Sequence, residues 1–198
     1  MIRLSLTDFV DIVSKSGVQK ATKVAQIKSR GEYEPAFDFY KPLRDHIVET
    51  HRLSHPKASI GEVMGGITDT KKLHNYPGLI EGYIRWWGRK KFQWFDPVSR
   101  PYAAQGIEVY VNPELGLQFK GENRLVKLYF KSDPLSKQKV GIIMHLMEAT
   151  LRPHCKGEEI MSILDIRNSR LLSFDGVPFA RAVIDAELAY VASLWPLV

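Results

Sequence analysis

The chain has 198 residues, 44% of them hydrophobic and 25% charged, a globular composition able to bury roughly 70% of its unfolded surface without a disulfide or metal staple. Cys155 is the only cysteine, which excludes a disulfide within the chain and fits a reducing compartment. No apolar run approaches the ~18 residues of a membrane span, and Asp8 and Asp11 interrupt the apolar stretch that a secretion signal would keep whole, so a cytoplasmic protein away from the membrane is expected.

The net charge of +6 is unevenly spread: residues 1–105 carry 17 Lys/Arg against 11 Asp/Glu, and residues 106–198 carry 11 of each. Such asymmetry points to a polyanion partner such as nucleic acid, set against the plainer reading of a solubilising surface.

In chain order, Phe9, Val10, Ile12 and Val13 predict a helix over Leu6–Ser16 that Gly17 closes, and Val18–Ser29 predicts a second with Lys20, Lys23 and Lys28 between its apolar positions. Pro35 marks the start of a third, with Pro42 kinking it or delaying its start. Residues 55–70 read as an irregular connection, and Tyr76–Lys91 as a helix with Pro77 near its start. From Gly106 the pattern turns to strands: Ile107–Val111, Leu115–Lys120 and Arg124–Lys131, with Gly121-Glu122-Asn123 as the last turn. Ser132 or Asp133 then caps a helix with Pro134 in its first turn, followed by strands Ile160–Ile166 and Arg170–Phe174 and a helix over Phe179–Trp195. The order predicts an α+β fold, with N-terminal helices followed by a mixed sheet of about five strands flanked by helices. No linker separates the mainly helical basic half, 1–105, from the sheet-and-helix half, 106–198, so residues 1–198 read as a single domain.

Two stretches carry chemistry. Alternation on Arg124–Lys131 places Leu125, Lys127, Tyr129 and Lys131 on one face, and on Glu114–Phe119 it places Glu114, Gly116 and Gln118 opposite the apolar Leu115, Leu117 and Phe119. Paired strands would join Glu114, Gln118, Lys127, Tyr129 and Lys131 into one polar surface, where an acid holds Mg²⁺ and a lysine activates water. The other stretch is Tyr83–Phe95, where Arg85, Arg89, Lys90 and Lys91 crowd among Trp86, Trp87, Phe92, Trp94 and Phe95. Cations on the backbone and rings under the bases are what single-stranded nucleic acid needs; the alternative is that the tryptophans join the helical half to the sheet. Arg85, Arg89, Lys90, Lys91, Trp86 and Trp87 are therefore the expected nucleic-acid contacts.

The first stretch resembles the core of the PD-(D/E)XK nuclease superfamily, with Pro113-Glu114 where that family has its Pro-Asp pair and Tyr129-Phe130-Lys131 in place of the acid-x-Lys triplet. The resemblance covers roughly residues 35–166 in order of elements. It implies a restriction-endonuclease-like core, catalytic positions at Glu114, Lys131, Tyr129 and Lys127, a metal ligand in Glu114, and a helix after the third strand bearing Lys137 and Gln138. Tyr129 departs from the pattern, because a neutral phenol is a poor Mg²⁺ ligand; Glu108, Glu148 or Asp133 would have to supply the second carboxylate. The expectation is a nucleic-acid-associated protein that binds rather than cleaves, without a cofactor (Mg²⁺ if active). The alternatives are a protein-interaction subunit of a larger assembly, or a Mg²⁺-dependent nuclease with a displaced acid.

Overall fold

A computed structural model describes residues 1–30, 38–173 and 180–198. Strand β1 (Ile2–Ser5) leads into α1 (Leu6–Val13), whose Ser5 cap accepts from the Asp8 amide at 3.0 Å. Helix α2 (Gly17–Ser29) follows, then α3 (Lys41–Arg52), which starts where Pro42 can sit in the first turn, a 3-10 segment at Lys57–Gly66, and α4 (Thr70–Trp87). The start expected at Pro35 lies outside the described residues. Helix α4 begins six residues before the expected Tyr76, because Asp69 caps it through the Lys72 amide at 2.9 Å and Pro77 is carried inside. It ends at Gly88, whose φ of +55° and ψ of −121° suit only glycine.

Strands β2 (Gln93–Phe95), β3 (Arg100–Ala104), β4 (Ile107–Val111), β5 (Leu115–Phe119) and β6 (Glu122–Tyr129) precede α5 (Lys137–Leu151), and β7 (Ile160–Asp165), β8 (Arg170–Leu172) and α6 (Ala180–Leu194) complete the chain. The expected ends at Phe174 and Phe179 fall outside the described residues. The main sheet runs β2-β5-β6-β7-β8, antiparallel except at β6–β7, which α5 connects in parallel; a second sheet runs β1-β4-β3. The fold is thus α+β with a mixed five-strand sheet, as the pattern predicts, except that Ile107–Val111 pairs in the second sheet and β2 takes its place in the first. Three short strands, β1, β2 and β3, lie within the half read as mainly helical.

Two boundaries are corrected. The β5–β6 turn is Lys120-Gly121, both at positive φ, in the two-residue hairpin pattern; Glu122 and Asn123 already pair with Phe119 and Gln118. Helix α5 is capped by Ser136, which accepts from the Lys139 amide at 3.2 Å, not by Ser132 or Asp133.

The main sheet is buried on both faces. Val126, Leu128 and Phe130 join Leu115, Leu117 and Phe119 in a core under α3 and α4, while Leu125 and Tyr129 join Met161 and Ile163 in a second core under α1, α5 and α6. Glycine makes one contact possible: a Cβ on Gly82 of α4 would stand 2.1 Å from the Ile166 carbonyl oxygen, at the end of β7. Because backbone must move to accept it, Gly82→Ala is expected to cost about 3 kcal/mol, read as a lowered urea midpoint with unchanged slope. Among the described residues no helix is long and apolar enough to cross a membrane.

Candidate functional site

Antiparallel pairing of β5 and β6 brings Glu114 and Lys127 together, as alternation requires. The Lys127 ammonium lies 2.5 Å from Glu114 Oε1 and donates to the Asn112 carbonyl at 2.9 Å and its side-chain oxygen at 3.3 Å; Glu114 Oε2 accepts from the Leu128 amide at 2.7 Å. Both side chains are nearly closed to solvent, 9% and 10% exposed. Both carboxylate oxygens and the ammonium are therefore already satisfied.

The neighbouring triplet is equally committed. Lys131 is 2.6 Å from both oxygens of Asp11 on α1, and Lys23 of α2 approaches the same carboxylate at 3.3 Å. Tyr129 is buried and donates to the Asp133 carbonyl at 2.8 Å; burial, reinforced by the charge of Asp133, pushes its phenol up to about 12. The three acids expected to stand in for it are paired elsewhere: Glu108 with Arg3, Glu148 with Arg152 and Asp133 with Lys139. Lys137 and Gln138 are exposed on the first turn of α5. A divalent ion wants several free oxygen ligands, and this donor set does not fit one: Glu114 would have to abandon its lysine and Leu128's amide, and Tyr129 would have to ionise. Among the described residues no group of three or more His, Cys, Asp or Glu side chains could hold a metal. Glu114, Lys127, Tyr129 and Lys131 are brought together as a face of the core, tying sheet to α1 and α2, rather than as the open polar surface that alternation alone suggested.

The basic–aromatic stretch separates into two parts. Its rings are packed: Trp86 is 4% exposed and stacks on Phe92 at 5.2 Å, Trp87 stacks on His51 at 4.3 Å, and Phe92 meets Phe119 edge-on at 5.0 Å. Trp86 and Trp87 thus join α4 to α3 and the sheet, instead of offering faces to bases as expected. Arg85 pairs with Glu81 one turn back, at 2.6 Å. The remaining cations are differently placed. Lys90 folds over the Trp86 ring and donates to the Trp86 carbonyl, and Lys57 donates to the Gly88 carbonyl at 2.7 Å, both gathering positive charge where α4 ends. Burial, and then the charge of Lys120, lowers the Lys90 ammonium. Arg89, Lys91 and Lys120 are exposed, and none of these five has a carboxylate partner among the described residues. Lys57 and Lys120 escape a reading of the sequence because they lie about 30 residues to either side: only the 3-10 segment brings Lys57 to the Gly88 carbonyl, and only the β5–β6 turn brings Lys120 near Lys90 and Lys91.

The lysines of α2 behave in the opposite way. Lys20 pairs with Glu187 at 2.7 Å, Lys23 with Asp11, and Lys28 donates to the Trp195 carbonyl at 2.8 Å. That helix is fastened to α1 and the C-terminal segment rather than left open to phosphates.

Behind the basic patch lies His51, 5% exposed, with Nε2 2.7 Å from the Tyr83 hydroxyl. Burial lowers its imidazole from 6.5 to about 4 and raises the Tyr83 phenol well above its ordinary value. Below pH 6.5 the unfolded chain takes up a proton that the folded chain refuses until pH 4, so stability falls as pH drops through this window, by about 3 kcal/mol in all. Urea titrations of wild type and His51→Gln between pH 7 and 4 are expected to show this component only in wild type. Cys155 is similarly inert as a nucleophile: burial and Glu159 push its thiol up to about 11. Compared with protein-family models, curated proteins and solved structures, the chain matches none.

Proposed function

We propose that the protein binds nucleic acid through its phosphates, using Lys57, Arg89, Lys90, Lys91 and Lys120, and that its nuclease-like strand–helix–strand core serves as scaffold rather than catalyst. The observation that carries this reading is the gathering of five cations from three separate segments without a carboxylate among them. Like charges brought together on an exposed surface repel one another, and a polyanion relieves that repulsion while releasing counterions. The commitment of Glu114 to Lys127, and of Asp11 to Lys131 and Lys23, favours binding over cleavage.

The test is retention of oligonucleotides at low salt. With about five phosphates held, one per cation, affinity for a single strand is expected to fall roughly 3,000-fold per tenfold rise in salt. A protein that retains neither DNA nor RNA at low salt overturns the proposal.

A further inference from the structure

One rung of the main sheet places three amide side chains in a row. Gln93 of β2 is registered against Gln118 of β5, and Gln118 against Asn123 of β6. Residues opposite one another across a sheet share a face, with neighbouring strands 4.7–4.9 Å apart. Gln93 is exposed, Gln118 and Asn123 are half-buried, and none of the three side-chain amides has a partner among the described residues. The row lies at the end of the sheet; two rungs along on the same face, the Phe95 ring covers Gly116, with which Phe95 is paired.

A depression of about 290 Å³ opens beside this rung, lined by Lys91, Phe92, Gln93, Gln118, Phe119 and Lys120, with no acidic residue in its wall. The combination is specific. An amide offers both a donor pair and an acceptor, which match the edge of a nucleobase. The two lysines offer charge to the phosphate on either side. We propose that this depression receives an unstacked base of a single-stranded nucleic acid, with Gln93 and Gln118 reading its edge and Asn123 extending the row; the inference rests on the phosphate-binding function above.

Concavity decides between single and double strands. In a duplex the base edges lie at the floor of a groove, reachable by an element that protrudes. Gln93 and Gln118 line a hollow, so the base must come to them, as splayed bases of single strands do.

The experiment is fluorescence anisotropy at low salt with labelled homopolymers of about twelve nucleotides and a duplex of equal length, long enough to span one such site. Wild type is expected to bind single strands more tightly than the duplex and to prefer one homopolymer by about tenfold. Gln93→Ala/Gln118→Ala is expected to erase that preference while leaving the salt slope and the affinity for the least preferred homopolymer unchanged, which also shows that the variant is folded. Equal or tighter duplex binding, no preference in wild type, or a preference that survives the double substitution overturns the base-reading site and leaves phosphate binding standing. Failure of wild type to bind any nucleic acid overturns both.

Discussion

Glu114→Ala is expected to lower the free energy of unfolding by about 3–5 kcal/mol, because it strands a buried ammonium. Lys127 is 10% exposed and would keep only the neutral oxygens of Asn112, while the Leu128 amide would lose its acceptor. Lys127→Ala is expected to cost a similar amount by stranding the carboxylate. Replacing both at once, Glu114→Met with Lys127→Leu, removes the two charges together and is expected to recover most of the loss, since a buried ion pair contributes little net stability over an apolar pair of like volume. Urea denaturation of the three variants, with wild type as reference, measures this directly. A cost below about 1 kcal/mol for Glu114→Ala would mean that the carboxylate is not holding the fold, as expected of a group kept for chemistry instead.

Arg89→Ala/Lys91→Ala/Lys120→Ala is expected to weaken nucleic-acid binding about 100-fold near 0.1 M salt and to flatten the salt slope by about two. All three side chains are exposed and none is paired among the described residues, so stability is expected to stay within about 0.5 kcal/mol of wild type. The loss is expected to be uniform across oligonucleotide sequences, because phosphate contacts position a ligand without reading it. Lys20→Ala and Lys28→Ala provide the contrast. Their charges are spent on Glu187 and the C-terminal carbonyls, so binding is expected to be unchanged. Binding that survives the triple substitution would move the interface elsewhere.

The chain carries two kinds of positive charge that composition does not distinguish. Lys127 and Lys91 are both lysines near aromatic residues. One is enclosed by oxygens of the β4–β5 connection, the other opens to water with no counter-ion among the described residues.

The alternation on β5 and β6, the α+β order of elements and the polar row Glu114, Lys127, Tyr129 and Lys131 are legible in the residues alone, because side-chain direction follows strand period and needs no partner. So is the basic run at Arg89–Lys91. The enclosure of the polar row is set by distant packing: whether a sheet face meets solvent or helices depends on where α1 and α5 lie, and Asp11, which covers the half-buried Lys131, is 120 residues away along the chain. The same holds for β1, β2 and β3. Each is at most five residues long, one contains Pro101, and each is a strand only because β4 or β5 offers its backbone groups for pairing. The amide rung is the clearest case. Gln93, Gln118 and Asn123 have no shared spacing in the sequence, and only the register of three strands sets them side by side, because hydrogen-bond pairing, not chain proximity, fixes which residues face each other across a sheet.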